Sequence, residues 1–176
     1  MDDKAKELLG TELAAEIKDG QLIGVGTGTT VEAVLNAIQQ RIDHENLSVQ
    51  VVPTSYQSAW RCEELGFQVL TPSLVAELDW AFDGADEVDE DLRLLKGRGA
   101  ALFHEKLVAA KAKKFVVVVG EDKLVSRLGE KMAVPVEFVP ESISSVKKAL
   151  QNLGAHSVEL RFGVALERSI PVLPKK

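Results

Sequence analysis

Asp83-Gly84-Ala85-Asp86-Glu87, Lys96-Gly97-Arg98-Gly99 and then Glu105 bring carboxylates and an ammonium close together in the chain, directly after the apolar run Leu78 to Phe82. Acids and a lysine punctuated by glycine after an apolar segment describe a loop at a strand end, where polar groups converge on a small molecule. Asp83 and Asp86, three apart, suit coordination of a divalent cation, orientation of hydroxyl groups, or Asx turns that tie the loop to itself. The residues leave all three readings open. Glu87, Asp89, Glu90 and Asp91 extend the acidic run, fail the calcium-loop spacing and read as a solvated rim. His44, His104 and His156 are too far apart in sequence to be spaced as ligands, and no metal is predicted.

Glu105 is the most discriminating single residue. Its helical neighbours Ala101, Leu102, Val108 and Ala109 are all apolar, which turns the carboxylate inward. Burial raises a carboxyl pKa towards neutrality and suits a general base that first takes and then returns a proton. The competing reading is a glutamate near a helix N-terminus, stabilised by the dipole, and Lys106 occupies an equally apolar setting by snorkelling. Lys96 sits between leucine and glycine, where a fixed ammonium beside bare backbone amides can stabilise negative charge developing on an oxygen.

A second motif, Gly24-Val25-Gly26-Thr27-Gly28-Thr29-Thr30, lies between an apolar run and a helical pattern. Glycines there turn backbone N–H groups towards a ligand, a helix N-terminus adds partial positive charge, and three threonines add hydroxyls, so the loop can hold a phosphate. It lacks the Gly-Lys-Ser/Thr of a P-loop and the third glycine of the dinucleotide fingerprint, which disfavours nucleotides. The plainer alternative is a tight turn with Thr30 as N-cap. Pro53-Thr54-Ser55 would bring further hydroxyls to the same edge, with Ser55 more simply an N-cap.

The elements that must position these groups follow from periodicity. Leu9, Leu13 and Ile17 mark a helix that stops at Asp19-Gly20, and Val31, Val34, Leu35, Ile38 and Ile42 mark another. Strands are expected at Leu22–Val25, Leu47–Val52, Phe67–Leu70, Leu78–Phe82 and Phe115–Val119, with helices over Tyr56–Leu65 and Ala100–Lys113. Continuous apolar strands separated by helices give an α/β, doubly wound, mainly parallel sheet of Rossmann-like type. After Gly129 the texture changes to a helix over Ser144–Leu153 and a strand over Ser157–Leu160, so a catalytic domain over 1–130 and a partial small α+β domain over 131–176 are expected. Arg161 to Lys176 reads as an edge strand or frayed tail.

The chain has 176 residues, a formal net charge of −6, 45% hydrophobic and 27% charged residues, which suits a globular protein with a real core. Scattered lysines on an acidic chain argue against nucleic acid, and no apolar run is long enough to span a membrane. The polar start and the single cysteine, Cys62, expected to be buried, place the protein in the cytoplasm.

The motifs Gly-Val-Gly-Thr-Gly-Thr-Thr, Asp-Gly-Ala-Asp-Glu, Lys-Gly-Arg-Gly-Ala-Ala-Leu and Glu-Lys, in this order, resemble ribose-5-phosphate isomerase type A over about Lys6 to Gly154. The resemblance implies interconversion of D-ribose 5-phosphate and D-ribulose 5-phosphate without cofactor or metal, in the non-oxidative pentose phosphate branch, by a homodimer. It also implies Glu105 as the base, Asp83 and Lys96 as catalytic partners, and substrate contacts from Thr27, Gly28, Thr29, Thr30, Asp83, Gly84, Ala85, Asp86, Lys96, Gly97, Arg98, Gly99 and Lys123. Arg98 stands where many relatives have glycine and Gly120 where aspartate is common. Family members continue beyond the position of Lys176, and the residues after Leu160 match the family poorly, so either the polypeptide is truncated or altered, or its end has diverged. The alternatives are a phosphosugar-sensing domain, which needs no base at position 105, an amino-sugar phosphate isomerase, and a coenzyme A transferase, which needs a covalent glutamate in an exposed turn.

Overall fold

In the computed structural model, which describes residues 1–165 and 168–171, five parallel strands form the central sheet. They are β1 (Leu22–Val25), β2 (Gln50–Pro53), β3 (Gln68–Val69), β4 (Trp80–Asp83) and, after two short strands outside the sheet, β7 (Phe115–Val117), in spatial order β3-β2-β1-β4-β7. The short pair is the antiparallel ribbon of β5 (Glu87–Val88) and β6 (Leu94–Leu95). The helices are α1 (Asp3–Ala15), α2 (Thr29–Glu45), α3 (Tyr56–Glu64), α4 (Leu102–Ala109) and α5 (Ile143–Asn152). An antiparallel hairpin of β8 (Phe162–Ala165) and β9 (Arg168–Pro171) lies towards the end of the chain.

The doubly wound, mainly parallel reading of the sequence is therefore correct, and its physical basis is visible in the core. β1 and β4 are apolar runs because helices cover both faces of the sheet. One face packs Ile23, Val25, Val51 and Phe82 under Val31, Val34, Leu35 and Ile38 of α2, and Cys62 of α3 joins this cluster fully buried. The other face packs Val52, Ala81 and Leu78 against Val108 of α4. Arg41 of α2 donates from one guanidinium nitrogen to the carbonyls of Ala14 (2.5 Å) and Ile17 (2.9 Å), satisfying the C-terminal end of α1 that α2 packs against.

Several expectations need correction. The helix expected over Ala100–Lys113 is confined to Leu102–Ala109. Its far end is pulled out of the helix by backbone pairing with the segment before β4, where Leu78 N–H donates to the Lys111 carbonyl and Lys113 N–H to the Leu78 carbonyl. The strand expected over Ser157–Leu160 is absent among the described residues, and the antiparallel pairing forms one step later, between Phe162 and Pro171. Within the expected edge strand or tail Arg161–Lys176, residues 166, 167 and 172–176 lie outside the described residues. The N-cap of α2 is Gly28, at φ 123°, and not Thr30. That left-handed backbone favours glycine and lets the chain leave β1 and enter the helix at once. Ser55 caps α3 as expected, its hydroxyl accepting from the Ser58 N–H.

The sheet order has a direct consequence for the site. From β1 the chain moves outward through β2 and β3, then crosses back to place β4 on the other side of β1. The carboxyl ends of β1 and β4 flank this reversal point, where ligands of open α/β sheets bind.

Candidate active site

Asp83 closes β4 and is only 2% exposed. One carboxylate oxygen, Oδ1, accepts from the backbone N–H groups of Gly84 (2.7 Å) and Thr27 (3.2 Å). A Cβ on Gly26 would lie 2.1 Å from that same oxygen, so the glycine at this turn is what lets the carboxylate reach across from β4 to β1. The second oxygen, Oδ2, lies 3.2 Å from the ammonium of Lys96, which follows β6. Lys96 Nζ is also 3.1 Å from Oε2 of Glu105 and donates to the Gly84 carbonyl. Glu105, 7% exposed, projects inward from α4, the first of the two readings its pattern left open.

One half-buried ammonium therefore bridges two buried carboxylates. Neither carboxylate oxygen facing it has an aligned hydrogen bond, so the attraction there is chiefly coulombic. Burial pushes the Asp83 carboxyl above its usual range, against the opposing pull of Lys96 and the two backbone N–H groups. Burial likewise pushes Glu105 up; the charge of Asp83 adds to that, Lys96 opposes it, and Asp86 adds a little more. A carboxyl held high beside a fixed cation can take a proton from carbon and return it.

A cleft of about 260 Å³ adjoins this triad through Thr27 and Gly84. Gly28, Thr29 and Thr30 at the N-terminus of α2 line it, together with Ala85 and Lys123. N–H groups of a helix start, hydroxyls and a lysine ammonium suit a phosphate. Lys6 of α1 also lines the cleft and was missed from sequence, because a single lysine in an N-terminal helix carries no local mark of a ligand. Its ammonium pairs with Asp3 at 3.0 Å, and that of Lys123 with Asp122 at 3.2 Å.

The structure separates the remaining candidates. Asp86 is half-buried and its Oδ2 accepts from the Arg98 N–H at 2.9 Å, which ties the two glycine-containing loops together. Gly97 is buried, whereas Arg98 and Gly99 are exposed at the rim. The Thr27 hydroxyl is engaged by Thr54, Ser55 and Ser58 at 2.8–3.0 Å. No cluster of three or more His, Cys, Asp or Glu side chains suited to a metal occurs among the described residues.

The expected solvated rim is overturned for two of its four acids. Glu87 is fully buried, accepting from the N–H groups of Gly129 (2.5 Å), Lys131 (2.7 Å) and Met132 (2.9 Å). Burial pushes this carboxyl up, but the backbone N–H groups outweigh it and hold it below the ordinary range. Asp89 is buried within the turn between β5 and β6, bonded to the Arg93 side chain at 2.7 Å and to the Asp91 and Arg93 N–H groups. Glu90 and Asp91 are exposed, as a rim requires.

Residues 50–172 match the family model of ribose 5-phosphate isomerase A (phosphoriboisomerase A), so the likeness runs past Leu160, where it had been expected to fade. A ribose-5-phosphate isomerase A from Methanothermobacter thermautotrophicus is 44% identical over 156 residues, 89% of this chain and 68% of that protein. Ribose-5-phosphate isomerase A 1 of Oceanobacillus iheyensis is 41% identical over 152 residues, 86% of this chain and 67% of that protein. The ribose 5-phosphate isomerase A structure from Methanocaldococcus jannaschii superposes with a TM-score of 0.83 at 33% identity, covering 96% of this chain and 78% of the other. With the family model matched over residues 50–172 and relatives 41% and 44% identical over 86% and 89% of the chain, the chain belongs to the ribose 5-phosphate isomerase A family.

Proposed function

We propose that this chain interconverts D-ribose 5-phosphate and D-ribulose 5-phosphate through an enediol, with Glu105 as the single general base. The observation that carries this reading is the contact of one ammonium, Lys96, with both Glu105 (3.1 Å) and Asp83 (3.2 Å) beside a cleft that a helix N-terminus lines. The phosphate sits against Thr29, Thr30 and the Gly28 turn, with Lys6 and Lys123 neutralising it. Asp83 moves the proton between the anomeric hydroxyl and the ring oxygen, which opens the furanose and exposes the C1 carbonyl. Glu105 then takes the C2 proton, and Lys96 with nearby glycine amides stabilises the negative charge developing on O1. The O2 proton passes to O1, and Glu105 returns its proton to C1, leaving the C2 ketone. Asp86 holds sugar hydroxyls in register, and the bound phosphate fixes the reacting carbons against the base.

The family relationship supports the reaction; the roles of Glu105, Asp83 and Lys96 rest on the geometry. A phosphosugar sensor would have no use for a buried carboxylate beside the lysine, and Glu105 lies on a helix rather than in the exposed turn a covalent transferase needs. The reading extends to a cytoplasmic homodimer, supported by the free buried Cys62 and by exposed Val134, Val139 and Leu153, which a second subunit could cover.

The deciding assay incubates the purified chain with ribose 5-phosphate in deuterated water containing a chelator, and follows ribulose 5-phosphate and deuterium at the exchanged carbons. Glu105→Gln is expected to lower turnover by about 10²–10⁴-fold while leaving sugar phosphate affinity largely intact. Retained turnover in that variant refutes Glu105 as the base. A solved family structure, 36% identical with a TM-score of 0.84, is a D-ribose-5-phosphate isomerase in complex with phospho-erythronic acid. That compound is accordingly expected to compete with substrate here.

A further inference from the structure

Thr27 occupies an unusual place between two strand ends. Its backbone N–H donates to Asp83 Oδ1 at 3.2 Å, towards β4, while its hydroxyl faces the opposite way, into a cluster beyond β2. That hydroxyl lies 3.0 Å from Thr54 Oγ1, 2.8 Å from Ser55 Oγ and 3.0 Å from Ser58 Oγ, and the two serine hydroxyls are 2.7 Å apart. Thr54, Ser55 and Ser58 are 2%, 7% and 5% exposed. Four hydroxyls carry four protons, so each donates once within the cluster or to a nearby carbonyl, and water cannot readily replace a bond that is removed. The N-cap role of Ser55 uses only one of these contacts.

The links follow the order of strands in the sheet: Thr54 and the two serines beyond β2, Thr27 beyond β1, Asp83 at the end of β4. The backbone around Thr27 is fastened the same way, with Thr54 N–H donating to the Val25 carbonyl and Gly26 N–H to that of Phe82, both at 2.9 Å. In this arrangement the Thr27 hydroxyl is satisfied by the cluster while its N–H meets Asp83.

Resting on the isomerase reading above, we propose that Ser58, with Ser55 and Thr54, is a positioning residue for ring opening, acting through Thr27 to fix the Asp83 carboxylate. Ser58 touches neither substrate nor reacting atoms. Its effect falls first on the step that uses Asp83 and reaches proton transfer between C1 and C2 only indirectly, through the contact of Asp83 with Lys96 and its charge on Glu105.

The chemistry of the two sugars separates these steps. Ribose 5-phosphate closes a five-membered ring that must open before enolisation. Ribulose 5-phosphate, its O5 esterified, has no such ring, so exchange of its C1 proton with solvent deuterium bypasses the step assigned to Asp83. The experiment measures turnover of ribose 5-phosphate and C1 exchange of ribulose 5-phosphate for the wild-type chain, Ser58→Ala, Thr54→Val, Thr27→Val and Thr27→Ser, with folding checked by circular dichroism. Ser58→Ala and Thr27→Val are expected to raise the ratio of exchange to aldose turnover, by about 10-fold for Thr27→Val. Thr27→Ser, which keeps the hydroxyl, is expected to bring the ratio back towards wild type. Should Thr27→Val fail to fold, Ser58→Ala and Thr54→Val carry the same comparison. Folded variants in which both rates fall together, or neither falls, overturn the proposal and leave a merely structural cluster. A wild-type chain that performs neither reaction defeats the isomerase reading itself, an outcome distinct from an unchanged ratio.

Discussion

Two raised carboxyls around one lysine set the pH behaviour of the site. Because burial, and then the charge of Asp83, push Glu105 above the ordinary carboxylate range, the acid limb of kcat/KM belongs at higher pH than an exposed glutamate would give. The perturbers have known signs. Lys96→Met removes the group that lowers Glu105 and is expected to move the limb of the residual activity further up. Asp83→Asn removes a charge that raises it and is expected to move the limb down. A limb that stays fixed in both variants would mean that another group titrates. Stability carries the same sign: Glu105 binds its proton more tightly folded than unfolded, so its contribution is complete below the unfolded pKa and is lost as pH rises through the folded one. Glu105→Gln is accordingly expected to melt no lower than wild type near neutral pH, which a thermal scan checks.

Among the elements, the loops around the triad are held by acids that the sequence disguised. Glu87 stands in a run with Asp86, Asp89, Glu90 and Asp91, and nothing local marks it as the member that turns inward. Its partners, Gly129, Lys131 and Met132, lie more than forty residues away and present bare N–H groups with no side-chain signature. Glu137 is a parallel case. Its Oε2 accepts from the Phe103 N–H at 2.7 Å, at the start of α4, a helix with no cap of its own. The segment from 129 to 137 therefore acts as a strap, anchored at the acidic hairpin and at the helix that bears Glu105. Glu87→Gln replaces one acceptor oxygen with an NH₂ group aimed at backbone donors. It is expected to lower Tm by several degrees and to speed amide exchange at Gly129 and Met132 more than in the central strands. The Glu87 carboxyl is held low, so the stability it confers is present above the ordinary carboxylate range and is lost as pH falls through its folded pKa. Uniform exchange across the chain in the Glu87→Gln variant would deny it this local role.

For the molecule as a whole, the central sheet was readable because its strands are continuous apolar runs with helical patterns between them, whereas Glu105 was readable only in part, since Lys106 in an equally apolar setting is exposed. The ribbon of β5 and β6 was not readable, since two-residue strands have too few positions to show a period. Phe82 sits between the halves of the design, 1% exposed in β4 against Trp80 and next to Asp83. Phe82→Ala is expected to cost about 3–5 kcal/mol of unfolding free energy in a denaturant titration. A cost below about 1 kcal/mol would show that this layer repacks freely.

The arrangement of strand ends also bears on how the protein acquires its competence. Thr27, Asp83, Lys96 and Glu105 come from separate stretches of chain, and the first two meet across a crossover of 56 positions. Bringing them together requires β4 to have docked on β1, a contact between distant segments and hence slow to form. Regained turnover during refolding is therefore a clock for completion of the fold, trailing any signal that reports the early helices alone.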